Sequence, residues 1–316
     1  MTPRCFVAMY HYVRDAAATP FPRLNALAVA DFDLQLQWLG AHHAVLSYPA
    51  FEAAIEARRP FVRSAALLTF DDGLVDHRDI VFPRLRARGW SGVFFLAGAA
   101  LDDPPRVLSV HKTHFLIEKL GAERFGASVR DLLAGGVAPS GRTIERRPEV
   151  YRYDTAAPHV DIKHLLNYEL PYDEADAILS SLFARHLGDE ELFARSLYLS
   201  PEMIREMAAA GMTFGFHTER HRVLARLSAC EQRAELARGR DRIQALTGQQ
   251  SVPFCYPYGH LHTFNDDTLS LLRDSGYGTA FTTVRCDIDL VAADHLQLPR
   301  YDTRDLPPFV PAPAHA

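Results

Sequence analysis

Few cysteines are present in this 316-residue chain, and the four that occur, Cys5, Cys230, Cys255 and Cys286, are widely scattered with no CxxC pair. Nothing in that spacing supports a disulfide framework, and a reduced, cytoplasmic protein is expected. A strong charge of either sign is missing too. The net charge of −5 gives no argument for a nucleic-acid partner or an anionic membrane surface. The longest apolar run lies around Gly92–Leu101, far short of the roughly 18 residues a membrane span needs, so no transmembrane segment is expected. The opening "MTPRCFVAMYHYVRD" is broken by His11 and Arg14 and lacks the apolar core of a secretory signal. Internal repeats and low-complexity tracts are absent. What remains is a chain with 48% hydrophobic and 23% charged residues, ordinary for a soluble globular protein.

Its organisation is a rhythm of short apolar runs and helical patterns. Strands are predicted at 5–13, 44–48, 64–70, 92–97, 212–217, 252–259 and 279–284. Helices are predicted at 31–43, 49–59, 77–88, 230–246 and 265–276. Such alternation implies an α/β fold with a mostly parallel sheet, open or closed into a barrel, whose sites gather at the C-terminal strand ends. Residues 102–199 interrupt the rhythm with "DDPPR", a Gly/Pro/Arg-rich stretch at 134–149, and helices at 107–120, 161–170 and 172–187. The expectation is one domain over 1–316, carrying a mainly helical insertion at about 102–199 that caps its active face.

Two places carry chemistry. In "AALLTFDDGL" (65–74) a buried-looking strand runs into adjacent carboxylates, Asp71 and Asp72. Two neighbouring negative charges at a buried strand end need something positive. In "GFHTERH", His217 and His221 follow another strand at four-residue spacing, which on a helical turn puts both imidazoles on one side. Two neutral imidazoles and one carboxylate form a ligand set for zinc, or for iron, cobalt, nickel or manganese. The other carboxylate is then free to take a proton from water. Each element also has an ordinary reading, an Asp-Gly turn or a chance histidine pair, and the combination is what favours a metal.

"TFDDG" followed downstream by "HTERH" resembles the first two motifs of the polysaccharide deacetylase family, the NodB-homology carbohydrate esterases. "YPYG" (256–259) is similar to that family's third motif, usually an arginine before Pro-Pro-Tyr-Gly. The resemblance covers about 1–100 and 200–305 and not the insertion. It implies an irregular (β/α) barrel with a divalent metal, zinc foremost, and hydrolysis of an N-acetyl, less often O-acetyl, group on a sugar. Carried over, Asp72, His217 and His221 would hold the metal and Asp71 would be the general base. The backbone N–H of Tyr258 would help stabilise the oxyanion.

Two departures from the family pattern stand out. Cys255 occupies the place of the third-motif arginine, and Arg300 in "LQLPRY" is the candidate to replace it. The late Leu-x-His that supplies the general acid has no clear match. His11, at the end of the first strand, could line the same face, as could His260 or His262. His111 and Lys112 could reach substrate, although helix packing explains them equally well. The expected function is removal of an N-acetyl group from a nucleotide-linked or lipid-linked sugar in surface polysaccharide biosynthesis. Hydrolysis of a non-sugar amide or ureide, and a metal-retaining pseudoenzyme that binds glycan, are the alternatives. The particular sugar and the oligomeric state are not legible.

Overall fold

The computed structural model describes residues 4–58, 61–133 and 157–310; the Gly/Pro/Arg-rich stretch at 134–149 lies outside them. Eight strands form one sheet: Cys5–Tyr10 (β1), Ala44–Val45 (β2), Ala65–Phe70 (β3), Val93–Leu96 (β4), Thr213–Phe216 (β5), Phe254–Cys255 (β6), Ala280–Phe281 (β7) and Tyr301–Asp302 (β8). Their order is β7-β6-β5-β4-β3-β1-β8, with β2 also paired to β3, and every pairing is parallel. The sheet curls into the half-barrel of an irregular (β/α) fold, with helices outside it.

β1 and β3 are buried at all six positions, as strands of a parallel sheet covered on both faces must be. Side-chain alternation divides them between two cores. Phe6, Ala8, Tyr10, Ala66, Leu68, Phe70, Phe94, Phe214 and Phe254 pack outward beneath the helices. Cys5, Val7, Leu67, Val93, Phe95, Cys255, Phe281 and Leu298 form the inner core. Period-two alternation of this kind needs no further device, because successive Cβ atoms point to opposite faces.

Where elements are shorter than their sequence pattern, local chemistry explains it. β6 keeps only Phe254 and Cys255 of the predicted 252–259 run, since Pro253 and Pro257 on either side have no N–H for the ladder. β2 stops at Val45, and Ser47 caps a helix over Tyr48–Ala57 with proline in its first turn. The single helix predicted at 230–246 is two, Ala229–Leu236 and Gly239–Thr247. The break falls where a Cβ on Gly239 would lie 2.1 Å from the Phe216 ring, so the chain is pressed against the sheet. The helix predicted at 77–88 opens with a π-helical turn over His77–Val81, a feature often found near functional sites.

Between β4 and β5 the described residues are helical: Ser109–Leu120, Ala122–Leu133, Ala157–His164, Tyr172–His186 and Glu190–Leu197, with a π-helical turn at Leu165–Glu169. They have their own apolar core around Leu116, Phe125, Ile162 and Leu182. A further cluster, including Tyr12, Leu74, Ala97, Phe115 and Tyr198, joins them to the barrel mouth. As the chain leaves this segment, the Leu199 N–H donates to the Gly73 carbonyl at 2.8 Å, and Tyr198 bridges Leu74. The helical segment is thus tied by its backbone to the turn that follows Asp72.

Candidate active site

Strand alternation sends Asp71 to the same inner face as Leu67 and Cys255, and should send Asp72 to the opposite one. The backbone breaks the alternation. Asp72 has φ 76° and Gly73 has φ 63°, two consecutive left-handed residues, a conformation that is costly for a non-glycine residue such as aspartate. Both carboxylates therefore come within reach of His217. Strain of this kind gathers here. Among the described residues, five non-glycines have positive φ, and four of them are Asp72, Thr218, His221 and Tyr258.

The His217–His221 segment is not the helical turn its spacing predicts. It is a loop in which the Thr218 hydroxyl accepts the His221 N–H at 3.0 Å. Left-handed Thr218 and His221 achieve what a helix would have done, bringing the imidazoles edge to face at 4.7 Å. The His217 Nδ1 lies 2.7 Å from the Cys255 carbonyl. That bond places the ring proton on Nδ1 and leaves Nε2 as a lone-pair donor. His217 Nε2 and His221 Nε2 stand 3.7 and 3.6 Å from Asp72 Oδ1.

Asp72 Oδ1 is buried and has no hydrogen-bond partner. An orphaned carboxylate oxygen facing two imidazole nitrogens is the arrangement a divalent cation completes. These three side chains also offer atoms within 4.8 Å of one another. Burial lowers the pKa of both rings, that of His221 to about 3 with neighbouring His217 adding to the effect, so they are neutral near pH 7. Neutral imidazoles and an ionised carboxylate are the ligand forms a metal requires. The residues fit the group. A second cluster of Asp71, His217 and Cys255 meets the same distance criterion, but it is a poorer set. Burial drives the Cys255 thiol well above its usual range, and both Asp71 oxygens are already engaged.

Arg300 engages them. It is 1% exposed and enters from the residue before β8, with Nη1 and Nη2 each 2.8 Å from one oxygen of Asp71. Thr69 Oγ1 and the Thr282 carbonyl accept its remaining donors, and Nη2 also lies 3.0 Å from Cys255 Sγ. The guanidinium therefore fills the space beside the cysteine that stands in the third-motif arginine's place. Burial would raise the Asp71 pKa; the Arg300 charge and hydrogen bonds override it and hold the carboxyl at about 2. His11 follows β1, its side chain 40% exposed and its Nε2 3.7 Å from Asp71 Oδ2. The His11 carbonyl lies 3.1 Å from Nε2 of buried His77, in the π-helical turn. Tyr258 stacks edge-on against His221 at 5.0 Å.

The other candidates part company. Lys112 is spent on Glu190 and Ser180, at 2.8 and 2.9 Å. His260 and His262 contact each other at 2.9 Å. His111 is fully buried and turns its Nε2 to Asp72 Oδ2 at 3.1 Å, with Nδ1 2.6 Å from the Tyr198 hydroxyl. Sequence reasoning left His111 undecided and missed Tyr198 altogether. His111 lies on an amphipathic helical pattern, where periodicity points to packing alone, and Tyr198 follows the last helix of the segment as an extended residue bridged to Leu74, with no local motif to mark it.

Comparison with known proteins bears on the family and the fold. A family model described as polysaccharide deacetylase matches residues 177–280. The match includes His217, His221 and Tyr258 and stops short of Asp71 and Asp72. YxkH of Bacillus subtilis, named for the same family, is 30% identical over 86 residues, or 27% of this chain; the matched stretch spans 30% of that relative's length. Streptococcus pyogenes deacetylase PplD, solved in complex with acetate, superposes with TM-score 0.58 at 17% identity, covering 96% of this chain and 93% of its own. The BpsB deacetylase domain from Bordetella bronchiseptica gives TM-score 0.53 at 18% identity, covering 95% of each. At such identities the structural likeness speaks for the fold. The resemblance to the polysaccharide deacetylase family holds in both sequence and fold.

Proposed function

We propose that this relative of the polysaccharide deacetylases is a metal-dependent hydrolase that removes an N-acetyl group from a sugar. The observation that carries the reading is the pairing of two unlike carboxylates: Asp72 with one oxygen open beside two imidazoles, and Asp71 clamped by Arg300. Asp72, His217 and His221 would hold the cation, with zinc the best match to two nitrogens and one carboxylate oxygen; cobalt, nickel, manganese and iron suit the same donors. A divalent ion there supplies Lewis acidity, which polarises the acetyl carbonyl and lets water act as a nucleophile near neutral pH.

The chain's own groups do the rest. Asp71, ionised and fixed in one orientation by Arg300, takes the proton of the attacking water. His11 is the exposed imidazole beside it and is placed to pass a proton to the departing amine. The Tyr258 backbone N–H, in the Pro-Tyr-Gly turn, helps hold the developing oxyanion. The described helices between β4 and β5 act as a cap that shapes the substrate's approach to this mouth.

A nucleotide-linked or lipid-linked N-acetylhexosamine, used in assembling a surface polysaccharide in the cytoplasm, is the substrate class we favour. Among the described residues no helix is long and apolar enough to cross a membrane. The pseudoenzyme alternative rests on the missing third-motif arginine and the missing late histidine; the contacts of Arg300 with Asp71 weigh against the first ground. The test is release of acetate from N-acetylhexosamine derivatives by zinc-loaded protein. Acetate release with loss of activity in Asp71→Asn supports the reading. Intact metal binding and sugar affinity without turnover would favour a glycan-binding protein, and turnover of ureides alone would favour an amidohydrolase of another substrate.

A further inference from the structure

The helical segment between β4 and β5 does more than cover the site: it reaches the metal-ligand carboxylate itself. The Leu108 N–H donates to the Tyr198 oxygen at 3.0 Å, Tyr198 Oη lies 2.6 Å from His111 Nδ1, and His111 Nε2 lies 3.1 Å from Asp72 Oδ2. One run of donors in a single direction satisfies every group. Leu108 N–H donates to Tyr198, the Tyr198 O–H to Nδ1, and the Nε2–H of His111 to the carboxylate. The tyrosine thereby fixes the histidine's tautomer. Tyr198 is itself anchored beside Asp72, since it bridges Leu74 and its neighbour Leu199 donates to Gly73.

We propose that His111, held by Tyr198, is a positioning residue for the metal site: it occupies Oδ2 of Asp72 so that Oδ1 alone faces His217 and His221. This rests on the metal-site reading above. The argument is geometric. A carboxylate at the end of a strained, left-handed turn can rotate about its own bonds unless its far oxygen is held, and a freely rotating ligand binds a cation less tightly. Of the two Asp72 oxygens, one accepts from His111 and the other has no partner, an asymmetry that assigns their roles. His111 has 0% exposure, so it cannot meet substrate; it acts through Asp72.

Hydrogen-bonding partners of metal ligands are typically worth about 10–100-fold in metal affinity. The test is zinc affinity, measured by competition with a chromophoric chelator, on purified wild type, His111→Leu, His111→Gln and Tyr198→Phe. His111→Leu should weaken zinc binding by about that factor. His111→Gln, whose amide N–H stands near the place of Nε2–H, should recover most of the loss, and Tyr198→Phe should show a smaller loss than His111→Leu. If His111→Leu misfolds, wild type is the reference: His111→Gln close to wild type with Tyr198→Phe weakened supports the relay, and Tyr198→Phe equal to wild type with His111→Gln weakened by about tenfold or more overturns it. Tyr198→Phe matching wild type while His111→Gln binds no better than His111→Leu overturns the relay. A wild-type affinity in His111→Leu, with only a lowered melting temperature, would make the histidine purely structural and the inference wrong. Absence of zinc binding by wild type would instead sink the metal reading on which it stands.

Discussion

Asp71 and Asp72 are chain neighbours, yet the two sides of the site around them are finished in different ways. On the Asp71 side each oxygen accepts from a guanidinium nitrogen, and Arg300 has Thr69 and the Thr282 carbonyl for its other donors. On the Asp72 side one oxygen accepts from His111, while the other is buried against two imidazole nitrogens with no hydrogen-bond partner. A buried carboxylate already paired with a guanidinium is a poor ligand but a well-oriented base. One with a buried oxygen that has no hydrogen-bond partner, beside the bare Nε2 of His217 and the imidazole of His221, is the arrangement a cation completes. Identical side chains acquire separate tasks from their surroundings.

The largest effect should come from breaking the Asp72 side. Wild type is expected to carry close to one divalent ion per chain. His217→Ala or Asp72→Ala should lose affinity by orders of magnitude, because two remaining ligands cannot satisfy a tetrahedral or octahedral ion. Metal content after dialysis, read by elemental analysis, checks this; retention in His217→Ala equal to wild type would refute the assignment. The Asp71 side should respond in the opposite manner. Asp71→Asn keeps shape but cannot accept a proton, so turnover should fall by about 10²–10⁴-fold while metal stays bound. Retained turnover across neutral pH would move the base elsewhere.

Arg300→Met probes what completes the Asp71 side. Removing one partner of a buried pair destabilises a fold by about 3–5 kcal/mol, so Arg300→Lys is the milder companion, keeping charge without the two-pronged geometry. Asp71, held at about 2 against an ordinary 3.8, contributes stability that is present above its unfolded value and is lost as pH falls through about 2. Without the guanidinium, burial acts with less opposition and raises the Asp71 pKa. The carboxylate then protonates at higher pH, and the acidic limb of the pH–rate profile should move upward, with metal content unchanged. An unshifted limb would mean that Arg300 does not govern the base.

How much of this was legible in the sequence follows from which physics writes locally. β1 and β3 were readable because a run of apolar residues ending in turn chemistry is a local signal, and Asp71, His217 and Cys255 sit where strand ends place them. Asp72 was readable as a residue but not in conformation: no pattern announces that φ at one aspartate will cancel the alternation of its strand. The HTERH spacing suggested a helix, and Thr218 capturing the His221 N–H produced a loop with a similar outcome. Arg300 could be named from its place after a strand-like run, but its partners, about 230 residues earlier in the chain at Asp71, are set by sheet order alone. His111 shows where local reading ends. Its helix looks like any amphipathic helix, and only the docking of that helix on the barrel mouth converts a packing position into a contact with Asp72.

Cys255 offers the gentlest change on the Asp71 side. Its Sγ lies 3.0 Å from Arg300 Nη2 and 3.7 Å from Asp71 Oδ2, so it could be a needed third party or merely the small residue that leaves room for the guanidinium. Sulfur is a weak acceptor, and Arg300 keeps both Asp71 oxygens, Thr69 and the Thr282 carbonyl without it. Cys255→Ala should therefore change turnover by no more than about threefold, under 1 kcal/mol of barrier, and leave metal content alone. The thiol should also be chemically quiet. Burial pushes Cys255 well above the usual thiol range and Cys5 up to about 12, whereas Cys230 and Cys286 are exposed. Native protein should take up iodoacetamide at Cys230 and Cys286 and at neither buried cysteine, as peptide mapping by mass spectrometry would read, because the thiolate is the reactive form. Rapid alkylation of Cys255 would contradict its burial as a neutral thiol, and a loss of turnover far beyond threefold in Cys255→Ala would show that the sulfur is part of what holds Asp71 and not only the gap through which Arg300 reaches it.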